Sequence, residues 1–335
     1  MKKLILGIFF LILSLVRISA ADALALIVYE EPVNGQDDMM KVWITAASGS
    51  NIEYKTTPQS LNRNRIRRDT VKSVYFFEPP VFKEAVQLFE SRDYRGAREK
   101  FAECKEAYDK LDNLKGNYGT LAGFYELETC RKMFDLESLK KLLDGYQFGS
   151  LVRGHQRDQL EVYAVWDAVR TKSWARLDSL AKEVLEKKKW VGEHVAQIKY
   201  CHGLALEGLG RDTDALIAFN GAFTADYTAS EELTQAAALA CLRVIKANDE
   251  VRLAIQLWGT EDEDVNSPGY FLLQEGVAMC DLWTKSLGGG KALPSEYASF
   301  LRYREDNKPK VKTKAKPADD KPADEGGDVT EEEEG

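Results

Sequence analysis

The sequence predicts a mainly α protein, an α-solenoid of about six helical hairpins preceded by a small N-terminal β module. Three observations predict this. In residues 194–227, apolar or small residues recur at Val195, Ile198, Tyr200, Gly203, Leu206 and Leu209, a helical rhythm. Gly210-Arg211-Asp212 then breaks the chain, Asp212 is suited to cap a new helix, and Ala215, Phe219 and Ala222 share one face of it. The second observation is recurrence. A pair four residues apart, Ala215 with Phe219, reappears as Ala97/Phe101, Leu139/Leu143, Leu177/Ala181, Ala254/Trp258 and Leu293/Tyr297, at intervals of 42, 38, 38, 39 and 39 residues. The third is that residues 26–78 alternate with period two and are rich in β-formers.

The 194–227 stretch resembles a tetratricopeptide repeat. Gly203 stands at the family's small position in the first helix, Ala215 at the small position in the second, and Phe219 and Ala222 follow as the aromatic and the second small residue. The family's closing proline is missing, with Tyr227 near that point. DYRGAREKFAEC, with Ala97 and Phe101, matches about as well, and the other pairs match loosely. A tetratricopeptide unit has about 34 residues, so this period is longer by roughly one helical turn. The alternative is an irregular helical domain without true repetition. The array is expected to span residues 80–305.

In the β module, MKVWITA (residues 40–46) and NIEYKT (51–56) read as strands joined by Ser48-Gly49-Ser50, and TVKSVYFF (70–77) as a third, stopped by Pro79-Pro80. A module of three to five strands forms only a small core, so it is expected to pack on the first hairpin or on a second copy. It loosely resembles a small SH3-like or Sm-like barrel over about 50 residues, without a diagnostic motif. Arg63, Arg65, Arg67 and Arg68 precede the last strand, with Lys72 within it. They read either as a contact for an anion or as charges that discourage pairing at a sheet edge.

Residues 1–20 have two lysines, an apolar run of 13 and small residues after it, the layout of a secretory signal, with cleavage open among Ala20, Ala21, Ala23 and Ala25. The run is shorter than the roughly 20 residues of a spanning helix, although Arg17 leaves an uncleaved anchor open. A periplasmic or otherwise extracytoplasmic location is therefore expected, with no transmembrane segment after cleavage. Residues 308–335 form a charged tail: five lysines in KPKVKTKAK, then nine acids and one lysine from Asp319 on. That last block carries −8, as does the whole chain, so the body is nearly neutral. Such a composition cannot bury enough surface to order itself.

Little in the chain reads as chemistry. The five cysteines fall singly in helical segments without CxxC and read as core residues, Cys104–Cys130 being the pairing to expect if any bridge forms. His194 and His202 lie about 12 Å apart along one helix, too far for one metal. HExxH and GxSxG are absent, and Gly288-Gly289-Gly290-Lys291 lacks the remaining phosphate-loop residues and reads as a turn. An acidic, exported chain argues against nucleic acid. No catalytic residue, metal or cofactor is assigned.

The resemblance implies a concave face, lined by first helices, that binds extended peptides. Carried over on the small-residue position, the groove candidates are Gln197, Tyr200, Leu204 and Glu207, then Gln159, Trp166 and Arg170, then Phe124, Glu128 and Arg131. Two functions follow: an exported, non-enzymatic scaffold that holds a protein or peptide, or an architectural subunit whose groove a neighbouring subunit fills.

Overall fold

The computed structural model describes residues 22–30, 38–226 and 230–309; the leader-like segment, Tyr227 and nearly all of the charged tail lie outside them. Five strands come first: β1 (Ala23–Tyr29), β2 (Met39–Ala47), β3 (Asn51–Lys55), β4 (Asn64–Arg67) and β5 (Val71–Phe76). They form one antiparallel sheet in the order β4-β3-β2-β1-β5. Strands β1 and β4 were not assigned from the sequence. Since β1 starts at Ala23, and Ala23 and Ala25 are both buried, cleavage after Ala23 or Ala25 would cut into the sheet. Only the exits at Ala20 and Ala21 leave it whole.

The sheet's inner face (Ala25, Ile27, Val42, Ile44, Ile52) shares a core with Phe82, Ala85, Phe101 and Tyr108 of the first helices. The module is thus packed on the first hairpin of its own chain. Among the described residues the helices pair into six hairpins: α1 (Pro80–Glu90) with α2 (Tyr94–Ala107), α3 (Tyr118–Lys132) with α4 (Leu136–Asp144), and α5 (Gly154–Arg170) with α6 (Trp174–Lys187). Then come α7 (Gly192–Gly208) with α8 (Asp212–Ala225), α9 (Glu231–Ala247) with α10 (Asp249–Leu257), and α11 (Pro268–Leu282) with a return arm made of the short α12 (Ser295–Ala298) and the 3-10 turn that continues it (Ser299–Tyr303). The mainly α class with a small β module is what the structure has. Asp212 is the first residue of α8 and caps nothing with its side chain; with Asp214 it places negative charge at the helix N-terminus.

One turn closes the first four hairpins. Arg92, Phe134, Lys172 and Gly210 all have positive φ, at 67°, 56°, 51° and 72°. In each, the left-handed residue bonds three residues back and the next residue bonds five back, for example Arg92 N–H to the Phe89 carbonyl (3.1 Å) and Asp93 N–H to Leu88 (2.9 Å). This is the Schellman closure, and it satisfies carbonyls that a helix end leaves open. Asp93 and Asp135 then accept from Gly96 and Ser138 amides to start the next helix. Five residues after each left-handed residue stand Ala97, Leu139, Leu177 and Ala215, all buried. Nine after stand Phe101, Leu143, Ala181 and Phe219. Seven before stand Ala85, Leu127, Val165 and Gly203. Small residues before the turn go with a ring after it, and large ones with smaller ones. At Gly203 the fit is closed: a Cβ there would lie 2.5 Å from the Phe219 ring. The last two hairpins use other turns. Asn248 alone links α9 to α10, and Gly288 to Lys291 make the final turn, with Gly289 and Gly290 at positive φ.

Two substitutions test this account in urea titrations. Lys172 is exposed, so Lys172→Gly relieves left-handed strain and should raise stability by up to about 1 kcal/mol. Gly203→Ala should lower it by about 1–3 kcal/mol, because the Phe219 ring has no room to retreat.

Candidate functional site

The residues expected to line a groove come together, but mostly inside the protein. Glu128, Arg131, Gln159, Trp166 and Gln197 are buried, and Phe124 is 6% exposed. All but Phe124 belong to a polar layer between the first helices α3, α5 and α7. The Arg131 guanidinium donates to both Glu128 oxygens (2.9 and 3.0 Å from Nε) and to Glu193 (3.2 Å). Tyr163 donates its hydroxyl to Glu128 (2.6 Å). Gln159 and Gln197 exchange two amide bonds of 2.9 Å, and the Trp166 indole donates to the same Gln197 oxygen, also at 2.9 Å. Burial works against charge on Glu128, but Arg131 and the hydroxyl of Tyr163 outweigh it and hold the carboxyl below its usual range. Burial pushes the Glu193 carboxyl up.

The other candidates are half-buried and mostly engaged. Tyr200 joins a file of rings, Phe134, Trp166, Tyr200 and Phe219, with centroids 5.8–6.0 Å apart along it. Leu204 packs on the C-terminal core. Arg170 pairs with Asp167 (2.9 Å) and Glu137 (3.3 Å), and Glu207 with Arg243 (2.6 Å).

The inner side of the array is also closed by contact across it. Arg92 pairs with Glu231 and lies 3.8 Å from Glu232, while Tyr94 donates its hydroxyl to Glu232 at 2.5 Å. Lys132 comes within 3.7 Å of the same carboxylate. The first turn therefore clasps the start of α9, 138 residues on. A hollow of about 450 Å³ remains, rimmed by Lys132, Phe134, Gln235, Leu239, Trp283 and Lys291.

A larger cleft, about 860 Å³, lies elsewhere, between the sheet and the helical array. One wall is β5. The other is made by the α2–α3 loop (112–116) and the loop after α4 (147–152). The loops are tied to each other: Gly116 N–H donates to the Ser150 carbonyl (3.1 Å), and the Ser150 hydroxyl donates to the Asp112 carbonyl. They are tied to the sheet by Asn113, which donates to the Ala47 carbonyl (3.2 Å). The cleft is preformed by these bonds. Of the four arginines read as an anion contact, Arg63 and Arg65 lie against Glu53 (3.9 and 2.7 Å) and Arg67 against Asp69. Arg68 alone of the four lines the cleft, and among the described residues it donates to the carbonyls of Ser48 (3.1 Å) and Asn113 (3.0 Å). Sequence reading missed the cleft because its walls come from three segments that only the fold brings together.

The groups that could carry chemistry are engaged in packing. All five cysteines are free and buried, so Cys104 and Cys130 are not bridged. Burial pushes the thiols of Cys104, Cys241 and Cys280 up to about 12 and that of Cys130 to about 11, which keeps them protonated and poor nucleophiles. His202 pairs with Asp178 (2.7 Å), and His194 packs edge-on against Trp190. Among the described residues no group of His, Cys, Asp and Glu is arranged to hold a metal, and no helix is long and apolar enough to cross a membrane.

The clasp and the polar layer give a pH prediction. Burial raises the Glu232 carboxyl, but the Tyr94 hydroxyl and neighbouring cations outweigh it, so its folded pKa is below the usual value. A depressed carboxylate stabilises the fold above its unfolded pKa of about 4.3, and that part is lost as pH falls through the folded value. Glu232→Gln should therefore lower the urea midpoint near about pH 7 and converge on the parent protein near about pH 3. Arg131→Met should cost about 3–5 kcal/mol, because it leaves Glu128 buried without its cation.

No protein-family model matches the chain, and no curated protein matches it in sequence.

Proposed function

We propose that the chain is an exported, non-enzymatic interaction scaffold, and that it holds a protein or peptide partner in the cleft between the sheet and the helices. The observation that carries this is the preformed cleft of about 860 Å³, open along one edge of the sheet. Its volume is within the usual range for binding sites, and its lining mixes apolar with polar and charged groups. The hairpin array supports the reading as a rigid frame for the cleft loops. The repeat resemblance suggested the inner face as the site, but most of those side chains are committed to one another, which favours the cleft instead. In this reading the partner is met outside the cytoplasm, on account of the leader-like start of the chain, and no cofactor is needed.

A second reading, an architectural subunit, is favoured by one feature. On the outer sheet face Met39, Tyr75 and Phe77 are 57%, 61% and 46% exposed. An assembly that buries them would explain the patch.

Capture of a partner from an envelope extract separates these readings. Val152→Glu, in the cleft wall and itself exposed, should reduce capture by about tenfold or more while the circular dichroism is unchanged. Undiminished capture by that folded variant would remove the cleft. A stable homo-oligomer dissociated by Tyr75→Glu would favour the subunit.

A further inference from the structure

We propose that β5 is a docking strand: an extended acidic segment of a partner protein pairs along its outer edge and fills the cleft. This deepens, and rests on, the reading of the cleft as the partner site. The two edges of the sheet are built differently. At one edge β4 is four residues long and carries Arg65 and Arg67, which makes it short and charged. Natural sheets blunt edges against pairing in this way. At the other edge β5 has six residues, includes Val71, Val74, Tyr75 and Phe76, and runs along a cleft instead of ending in open solvent.

Register fixes which peptide groups face that cleft. Phe77 donates its amide to the Leu24 carbonyl (3.0 Å), and Tyr75 stands opposite Leu26 and Ser73 opposite Val28. In an antiparallel ladder the bonded pairs alternate, so Phe77, Tyr75 and Ser73 turn their peptide groups toward β1. Val74 and Phe76 turn theirs outward. Among the described residues no hydrogen bond engages those outward groups. Two N–H donors and two carbonyls are thus offered in strand spacing to an incoming chain, which is how edge addition gains affinity.

Charge selects the occupant. Arg68 and Lys115 line the cleft, and neither meets a carboxylate among the described residues. Asp112 is the one acid among the lining residues, set against Arg68 and Lys115. An added strand places alternate side chains on one side. Apolar ones would meet Val152 and Leu114, and acidic ones the two cations.

The test uses the full chain and a synthetic octapeptide alternating Glu or Asp with Val or Ile. Amide exchange at Val74 and Phe76 should slow by about tenfold or more on binding, while that at Tyr75, already paired with β1, stays as it was. A lysine-for-acid version should bind about tenfold more weakly. N-methylation of alternate peptide amides should abolish binding. Val74→Pro removes one outward amide at an edge position where proline is tolerated, and should weaken the peptide by about tenfold. If that variant unfolds, Arg68→Gln with Lys115→Gln should weaken it instead. Binding indifferent to N-methylation, yet lost in Val152→Glu, would overturn strand addition and leave the cleft standing. So would failure of every peptide while capture of the natural partner stays sensitive to Val152→Glu. If capture is insensitive as well, the cleft reading falls with it. Slow exchange at Val74 and Phe76 in the chain alone would overturn the proposal: independent of concentration it assigns the edge to the chain's own acidic tail, and dependent on concentration to a second copy.

Discussion

A backbone conformation that L-residues avoid sets the form of the helical array. At four successive hairpins one residue sits in the left-handed region, and three of the four are not glycine. The conformation persists because the helix end needs it: the two bonds it makes take up carbonyls that would otherwise have no partner. The same pair of turn bonds recurs at all four hairpins. The volumes on either side of the turn then have to match, which they do through Ala85 with Phe101 and Gly203 with Phe219. That turn is replaced after α9 and after α11.

Stacking in this way presses the first helices together, and the chain puts polar groups at the contact. A buried arginine with two carboxylates, a tyrosine hydroxyl and a reciprocal pair of glutamines is costly unless every member is satisfied. The Arg131, Glu128 and Tyr163 set is closed in this sense, as is the Gln159, Gln197 and Trp166 set. Such sets tolerate few alternative registers between helices. They fix alignment where an apolar layer would let the helices slide.

Much of the fold was legible because it repeats. The spacing of Ala97, Leu139, Leu177 and Ala215 located the second helices, each falling at its helix's fourth residue. The turns themselves were not legible, since Arg92, Phe134 and Lys172 do not announce a left-handed conformation as glycine does. Strand β1 was hidden because ALALIVY follows closely on an apolar run of sequence, and β4 because its arginines look like a loop. The inner-face candidates illustrate a different limit. Gln, Glu and Arg at helical spacing look the same whether they face water or each other. Deciding between the two needs the position of the neighbouring helices. The clasp from Arg92 and Tyr94 to Glu231 and Glu232 is further still from local pattern, and so are the three segments that meet at the cleft.

That clasp changes how the molecule comes apart. Repeat arrays are quasi-one-dimensional: each unit touches its neighbours, and units can be lost from an end one at a time. Here residues 92 and 232 are joined, so the first five hairpins are closed into a loop and no free end exists between them. Fraying at the first hairpin has to break contacts made by the fifth. Long-range closure of this kind is entropically slow to form. Once formed, it couples distant units, so the loop melts as one cooperative block where an open array would peel.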